Sequence, residues 1–547
     1  MKSRFLSAAV ILLGGALPAL AEPVNFDAAW TSYFGPEYFV YAAIKNPRID
    51  GPLMHSPLDS DPANVPAAAK ANNPMQFMRA FLEDAKKDKI VEKNYTELVA
   101  EGFAMGVAAA PDQKEPAAAL FVAPKSQQLI KFDDWVIAAY QKKFGPGSTE
   151  SVKIEGLTGT KFLKTEGKSQ PVLIVADNVV LLGTQEATVA AALKRAKDKK
   201  DTIADAKYYK RSRARVGADA AMFVMINPMP IVALIEQSAK GPKTDEQQKK
   251  IADAKQNLAA VDSVLLTVGA DKAASHVEMS IVLDPASPQT KSFKLLAALS
   301  GVKAAGFASA STPAFLGIVR PADLTAGVAE AHRESITQQL TSMKGMLQVQ
   351  TGLEFDKDVA PWWGSEVGLM LHVPEAGGGA PPEGALVFDS KDPKAAQEAI
   401  DKVIRHVGVA QNKTFVDRKV GEFTMKTAEP PPGGQPSPVN ISLALANGYV
   451  VLGTGPTVID NALSDKNKLS GTPGYQRINA AITPDKLGLV LYLKTDVLVK
   501  AQAGAPQAPN SPGAQVRKLA EDVDSIVLGL GWPDDESLRI ALVFNGK

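Results

Sequence analysis

The sequence contains no cysteine, and this absence limits both its chemistry and its means of stabilisation. Without thiols the chain has no disulfide framework, no thiol nucleophile and no zinc-thiolate site. Aromatic residues are also scarce at 6%, and the formal net charge of +1 gives no indication of nucleic-acid binding. A chain of 547 residues, of which 45% are hydrophobic, must therefore be stabilised mainly by buried cores.

Long apolar runs are missing beyond the N-terminus. Residues Met1–Ala21 combine a basic start, an apolar stretch too short to cross a bilayer and the small-residue pattern Ala-Leu-Ala at its end. These features predict a cleavable signal peptide over residues 1–21 and export to the periplasm or the extracellular space. No cysteine follows to carry a lipid anchor, and no later apolar stretch approaches transmembrane length, so we expect a protein that is not transmembrane.

One segment of the first half has a near copy in the second half. The sequence PVLIVADNVVLLG at Pro171–Gly183 resembles NISLALANGYVVLG at Asn440–Gly453, and each pattern predicts a β-hairpin that ends in glycine. Similar segments keep the same order on both sides, and Val261–Leu283 matches Val523–Phe544. We therefore predict a tandem duplication of one large module.

Each copy predicts the element order β-α-β-β-α-β-β-β-β-α-β-α-β-β. Because the connections between consecutive strands are short, we expect antiparallel pairing. The predicted fold class is α+β, with two homologous modules, each a large mainly antiparallel β-sheet with helices packed on one face. The predicted divisions are a signal peptide at 1–21, a first module at 22–290, a linker at 291–312 and a second module at 313–547.

Two kinds of segment in the second module carry further expectations. Residues Ala322–Gln350 space apolar side chains such as Met343 and Leu347 as a helix does, which predicts a helix lying on the sheet. Three insertions rich in proline and glycine are expected to be exposed loops, because proline lacks a backbone donor and glycine has high chain entropy. They are Pro374–Gly384, Ala428–Val439 and Ala501–Ala514.

The sequence contains no complete motif for catalysis, metal binding or cofactor binding. The five histidines lack metal-ligand spacing, and no Gly-x-Ser-x-Gly elbow occurs. Gly167-Lys168-Ser169 matches the end of a phosphate loop, but Phe162 stands where the first glycine belongs. We therefore predict no enzyme, no catalytic residue, no metal and no cofactor.

A basic segment at Lys194–Arg215 holds ten Lys or Arg residues against three Asp residues. One interpretation is a solvated helical face, and the other is contact with an anionic partner such as lipid headgroups or an acidic polymer. The candidate residues for contact with an anionic surface are Lys207, Lys210, Arg211 and Arg213.

The segment Trp362-Trp363-Gly364-Ser365-Glu366 precedes a predicted strand. Its tryptophans either cap the core or bind a ligand, and core capping is the simpler interpretation. The alignment of the two modules places Glu101 opposite Glu366. We treat Trp362, Trp363, Gly364, Glu366 and Glu101 as a candidate structural motif.

The Trp-Gly-x-Glu entry to a strand, the hairpins ending in Leu-Gly, the doubled module and the signal peptide resemble a family of exported bacterial proteins of unknown function built from tandem α+β modules. The first module departs from this pattern, because Leu98-Val99 stand in place of tryptophan and glycine and only Glu101 is kept. The resemblance implies no established activity and no site residues.

Two functional hypotheses follow. The first is a non-catalytic exported protein that binds a hydrophobic, lipid-like ligand or a partner protein in the cell envelope. The second is a structural or interaction scaffold of the envelope without a small-molecule ligand. An enclosed apolar cavity favours ligand carriage, whereas a filled core with an exposed apolar or charged patch favours the scaffold.

Overall fold

The computed structural model describes most of the chain. The described residues are 28–44, 102–109, 118–125, 134, 137–138, 140–142, 144–163, 170–176, 178–217, 220–238, 244–270, 274–287, 290, 301–319, 330–372, 383–429, 441–464, 467–496, 499, 520–534 and 536–547. The chain divides into two compact units, Met1–Gln289 and Thr290–Asn545, called the first and the second unit below.

The first unit contains one large antiparallel sheet. Its strands are β1 (Tyr38–Ile44), β2 (Phe103–Ala108), β3 (Ala118–Pro124), β4 (Thr149–Ile154), β5 (Leu157–Phe162), β6 (Val172–Val175), β7 (Val179–Gly183), β8 (Ala220–Ile226), β9 (Val261–Ala270) and β10 (Ala274–Leu283). Hydrogen-bonded neighbours follow the order β10-β9-β8-β1-β2-β3-β7-β6-β5-β4, and every pair is antiparallel. The inner strand β8 is apolar and buried on both faces, whereas β4, at the end of this order, carries exposed polar residues.

The described helices of the first unit connect these strands. They are α1 (Ala28–Thr31), α2 (Glu186–Asp198), α3 (Lys207–Arg213), α4 (Pro228–Ser238) and α5 (Asp245–Leu258). Further helical residues lie between Asp134 and Phe144. Helix α2 ends at Lys199, whose φ of 51° breaks the helical path and whose backbone N–H donates to the Arg195 carbonyl.

The second unit repeats the strand order of the first. Its strands are β11 (Ala314–Val319), β12 (Trp363–His372), β13 (Glu383–Ser390), β14 (Thr414–Val420), β15 (Phe423–Glu429), β16 (Ser442–Ala446), β17 (Tyr449–Gly453), β18 (Leu487–Lys494), β19 (Val523–Asp534) and β20 (Ser537–Gly546). The order is β20-β19-β18-β11-β12-β13-β17-β16-β15-β14, so β11 takes the place of β1. Both units are therefore α+β, as predicted.

The described helices of the second unit begin and end at residues with clear roles. They are α6 (Glu330–Thr351), α7 (Pro393–Gln411), α8 (Pro456–Leu463) and α9 (Pro473–Ala481). Helix α7 has Pro393 at its first position, and the Asp392 side chain accepts hydrogen bonds from the N–H groups of Lys394 and Ala395. It ends at Asn412, which adopts the left-handed conformation with φ 50°.

Helices cover both faces of each sheet, and the prediction of a single helical face is therefore wrong. On β7, Val179 and Leu181 pack with Val189 of α2, whereas Val180 packs on the other face with Tyr140. Successive side chains of a strand point to opposite faces. Because β7 is apolar at consecutive positions, both of its faces must be covered.

The same arrangement occurs in the second unit. Val450 of β17 packs with α7 residues such as Ile400. On the opposite face, Gly453 of β17 approaches α8 so closely that an added Cβ would lie 2.6 Å from Ile459 Cγ1. In both units, the strands carry apolar residues at consecutive positions, whereas a half-exposed strand carries them at every second position. Helices therefore cover both faces of each sheet and not one face as predicted.

Several predicted features lie outside the described residues. They are the signal peptide at 1–21, Glu101, and most of the three insertions rich in proline and glycine. Of the predicted linker at 291–312, residues 301–312 are described and contain a short 3-10 helix, Ala304–Gly306. Among the described helices, none combines the length and the apolarity needed to cross a membrane.

Candidate functional site

Glu366 lies on β12 and its side chain is buried, with the residue only 2% exposed. Its Oε1 accepts a hydrogen bond from the Ala304 N–H at 2.5 Å, and its Oε2 accepts one from the Tyr449 hydroxyl at 3.1 Å. Burial raises the pKa of Glu366, and these two hydrogen bonds oppose the rise. The carboxylate thus ties the short helix Ala304–Gly306 to the sheet.

The two tryptophans beside Glu366 make hydrogen bonds within the fold. Trp362 Nε1 donates to the Asp358 carbonyl at 2.7 Å, and Trp363 Nε1 donates to the Glu366 carbonyl at 3.0 Å. Both rings meet Phe388 edge-on, with centroid distances of 6.5 and 5.9 Å. These contacts place both indoles against the core beneath α7.

Gly364 is required by the close approach of a carboxylate. A Cβ at this position would lie 2.0 Å from Asp389 Oδ2. The Asp389 carboxylate accepts hydrogen bonds from the backbone N–H groups of Ser365 at 3.0 Å and Glu366 at 2.6 Å. The Trp-Gly-x-Glu motif therefore fixes the entry of β12 through backbone and core contacts.

Arg211, predicted as a surface contact, is held inside the first unit. Its Nη1 donates to Asp262 Oδ2 at 2.9 Å, and the two side chains are 14% and 16% exposed. Its other terminal nitrogen donates to the Leu283 carbonyl. Burial raises the pKa of Asp262, and the Arg211 guanidinium opposes that rise. Arg211 therefore joins α3 to the β9–β10 hairpin.

The other three predicted basic residues differ in their surroundings. Lys207 is 67% exposed and lies 3.4 Å from Asp284 Oδ1. Lys210 is exposed, and Arg213 is half-buried and hydrogen-bonded to Tyr209. The structure thus brings Lys207 and Arg211 together around Asp284 and leaves Lys210 facing solvent.

A cleft of about 350 Å³ lies in the first unit between the helical residues near Ile137 and strands β4 to β6. Its lining residues are Asp134, Ile137, Gln141, Thr149, Glu150, Ser151, Thr158, Gly159, Thr160, Leu173 and Val175. Gln141 Nε2 donates to Thr149 Oγ1 at 2.7 Å. This open lining, rich in hydroxyl groups, differs from the apolar pocket that holds a lipid-like ligand. Within the described part of the chain, no three or more His, Cys, Asp or Glu side chains are grouped to hold a metal ion.

Helix α6 exposes three large apolar side chains among its described residues. Met343, Met346 and Val349 are 61%, 55% and 80% exposed. The helix is attached through other residues, because Lys344 pairs with Asp356 at 2.7 Å and Leu347 packs on the core beside α7. The prediction that Met343 lies on the sheet is therefore wrong.

The last turns of α6 and α7 lie side by side. His406 Nε2 of α7 is 3.4 Å from the Val349 carbonyl oxygen, and Gly352 leaves room for the His406 ring. Val409, nearly one turn after His406, is 87% exposed. We call Met343, Met346, Val349 and Val409 the α6–α7 apolar surface.

Exposed apolar side chains also occur on β12. Leu369 and Leu371 are 37% and 42% exposed and share one face of the sheet, where Leu369 is paired with the half-buried Leu316 of β11 and Leu386 of β13. On β2, which takes the place of β12 in the first unit, the alternate residues Phe103, Met105 and Val107 are half-buried. Sequence reasoning missed this difference, because an apolar strand gives no sign of which face is covered.

Comparison of the chain with protein-family models gives a clear assignment. A family model described as "Protein of unknown function (DUF3352)" matches residues 77–403 and matches again over residues 299–544. The chain belongs to the DUF3352 family. The resemblance to a family of unknown function is thereby confirmed, and the two matches of the DUF3352 model overlap. No protein with a curated description matches the chain.

Among solved structures, the DUF3352 chain is similar to several crystal forms of TP0453. Crystal form III has a TM-score of 0.24 at 11% identity, covering 50% of this chain and 88% of TP0453. Crystal form IV has a TM-score of 0.23 at 10% identity, covering 47% and 81%. A likeness of this size establishes no shared function.

Proposed function

We propose that this DUF3352 protein is a non-catalytic binding protein of the cell envelope, and that its second unit binds a protein partner on the α6–α7 apolar surface. The observation that carries the proposal is the outward orientation of Met343, Met346 and Val349 on a helix that is held by Lys344 and Leu347. Exposed apolar patches on folded proteins mark interaction sites. Methionine suits them because its flexible, polarisable side chain adapts to a partner.

The hydrophobic free energy available from the α6–α7 apolar surface is comparable with the cost of association. Full burial of one such side chain contributes roughly 1.5–3 kcal/mol, so the four residues of the surface contribute about 6–12 kcal/mol. Association costs an estimated 4–15 kcal/mol in lost translational and rotational freedom. A stable complex therefore needs additional contacts, and Leu369 and Leu371 are further exposed apolar side chains of the same unit.

The hypothesis of a lipid-like ligand has weaker support. Ligand carriage requires an enclosed apolar cavity, whereas the cleft of the first unit is open and lined mainly by polar side chains such as Thr149, Thr158 and Thr160. The exposed side chains of α6 and α7 instead match the criterion for an interaction scaffold. A protein partner bound on this surface would be held in place by a scaffold, so the proposed binding includes the scaffolding role.

Export and the lack of catalysis are part of the proposal and rest on the sequence. The pattern of Met1–Ala21 supports a cleaved signal peptide and a location in the periplasm or outside the cell. The incomplete catalytic motifs support a protein that is not an enzyme, and the family description names no activity.

We also infer that the two units are copies of one ancestral module. Thr184 N donates to the Ala119 carbonyl at 3.0 Å, and its Oγ1 accepts from the Ala119 N–H at 2.9 Å. Thr454 makes the same pair of bonds with Gly384, each at 2.8 Å. These equivalent contacts, together with the common strand order, support duplication with modules at 22–290 and 313–547.

Site-specific photo-crosslinking in the native envelope tests the proposed partner site. A photoreactive amino acid in place of Met346 should give one adduct of discrete mass, whose added component is a protein. The same residue at Lys419, which is exposed on β14, should give none. In the Met346 variant, the added substitutions Met343→Gln and Val349→Gln should abolish the adduct. Equal labelling at both positions, or no adduct at Met346, would contradict the proposal.

A further inference from the structure

The first unit carries a lysine cluster that the second unit lacks. Between the buried Leu193 and the 3-10 helix that starts at Ile203, the chain reads KRAKDKKDT. Between the buried Leu463 and the 3-10 helix that starts at Leu469, it reads only SDKNK. The extra residues extend α2 to Asp198, whereas α8 ends at Leu463.

One of the five basic residues in this segment, Arg195, makes contacts within the first unit. Arg195 Nη2 donates to Glu37 at 2.7 Å and its Nη1 donates to the Tyr33 carbonyl at 3.2 Å, with the arginine side chain 13% exposed. The remaining four are exposed, and none forms an ion pair with any residue that the structure describes. They are Lys194, Lys197, Lys199 and Lys200, called the α2 lysine cluster below.

Lys199 occupies a backbone position that suits glycine better. Its φ of 51° is in the left-handed region, which strains a residue that carries a Cβ. Ser464, which follows α8 in the second unit, has an ordinary φ of −72°. Glycine would adopt this conformation without strain, but it would remove a positive charge from the C-terminal end of α2.

We propose that the α2 lysine cluster binds the anionic headgroups of a phospholipid surface. Lysine presents a hydrated point charge, which suits a diffuse anionic layer better than the directed recognition of one phosphate. The nearby tyrosines do not provide a platform for nucleic-acid bases, because Tyr209 is 5% exposed and the Tyr208 hydroxyl donates to the Tyr38 carbonyl.

The expected attraction is moderate and sensitive to salt. Asp198 and Asp201 lie within the segment and offset part of the charge of the four lysines, and Lys210 of α3 adds one exposed charge nearby in the sequence. Each basic residue near an anionic surface raises the binding constant roughly fivefold. The attraction is screened over about 8 Å at physiological ionic strength, so it should weaken as salt is added.

Co-sedimentation of the full chain with vesicles tests this inference. We expect binding to vesicles of phosphatidylcholine mixed with phosphatidylglycerol, and none to phosphatidylcholine alone. A variant with Lys194→Gln, Lys197→Gln, Lys199→Gln and Lys200→Gln should partition at least about tenfold more weakly, because the loss of two contributions of roughly fivefold each already exceeds tenfold. Unchanged circular dichroism and thermal unfolding will show that the variant is folded.

The matched control removes the same charge from the second unit. It carries Lys357→Gln, Lys391→Gln, Lys394→Gln and Lys419→Gln, all at exposed positions. This control should bind anionic vesicles like the wild type. No binding of the wild type to the anionic vesicles, equal loss in both variants, or equal binding to both vesicle types would overturn the inference.

Discussion

At the scale of single residues, Glu366 shows how a buried carboxylate is kept for structural purposes. It accepts hydrogen bonds from the Ala304 N–H and the Tyr449 hydroxyl while it lies out of contact with water. An N–H or hydroxyl group left unpaired in the interior costs about 1–3 kcal/mol. The side chain is therefore required more for its acceptor atoms than for its charge.

Two substitutions of Glu366 separate these contributions. Glu366→Ala should lower the free energy of unfolding by about 2–4 kcal/mol, because it leaves the buried Ala304 N–H and the half-buried Tyr449 hydroxyl without their acceptor. Glu366→Gln should change it by less than about 1 kcal/mol at neutral pH, because the amide oxygen still accepts from Ala304 and Tyr449 can accept from the amide nitrogen. Urea unfolding measures both. A loss with glutamine as large as that with alanine would show that the charge itself is needed.

The difference in stability between the wild type and Glu366→Gln should depend on pH in one direction. Because burial raises the folded-state pKa of Glu366 above its unfolded value, its contribution to stability is fully present below the unfolded pKa of about 4.3 and declines as the pH rises through the folded value. The stability of wild type minus that of Glu366→Gln should therefore fall as the pH increases from about 4 to neutrality. A rising difference would contradict the assignment.

Individual contacts of this kind were only partly predictable. The Trp-Gly-x-Glu motif and its position at the start of a strand are visible in the sequence. The partners of Glu366 are not, because Ala304 and Tyr449 lie far away along the chain. The same applies to Arg211, which belongs to a basic run but pairs with Asp262 on another element. Charge counts cannot reveal such long-range pairs.

At the scale of elements, glycine allows a strand to meet the following helix closely. A Cβ on Gly183 would lie 2.5 Å from Val189 Cγ2, and one on Gly453 would lie 2.6 Å from Ile459 Cγ1. Both glycines end a hairpin strand and precede a helix that packs back on the sheet. The closeness of this packing is equivalent in the two units.

Gly183→Ala and Gly453→Ala should therefore destabilise the protein to a similar extent. We expect each substitution to lower the free energy of unfolding by about 1–3 kcal/mol, because the helix must move to admit the methyl group. Gly306→Ala is the control, since a Cβ there meets nothing within 4 Å and its effect should be small. If either hairpin substitution behaves like the control, the two helix–strand contacts are not equivalent.

Local sequence patterns predict where helices and strands form better than they predict how these elements pack. The Asn-Gly pair at 447–448 predicts the β16–β17 hairpin, and both residues adopt the positive φ that such a turn requires. In α6, by contrast, the helical spacing of Met343 and Leu347 predicts a helix but not which residues meet the body. That choice depends on contacts with α7 and Asp356, which lie outside the helix.

At the scale of the whole molecule, the two units share a strand order but differ in surface chemistry. The first unit carries the α2 lysine cluster, where the second has a shorter and less basic segment. Among the described residues of the first unit, one large apolar side chain, Met229, is exposed, at 40%, whereas the α6–α7 apolar surface, Leu369 and Leu371 belong to the second unit. The two proposals accordingly place a charged contact on the first unit and an apolar contact on the second.

Native mass spectrometry of the protein purified from its own envelope tests whether the α6–α7 apolar surface binds a protein. We predict that the wild type carries one protein partner in fixed stoichiometry. A variant with Met343→Gln, Met346→Gln and Val349→Gln should fold with unchanged stability, because exposed substitutions usually change it by less than about 0.5 kcal/mol, and it should lose that partner. A bound lipid in place of a protein, or a partner retained by the variant, would contradict the claim that the α6–α7 apolar surface is a protein-binding site.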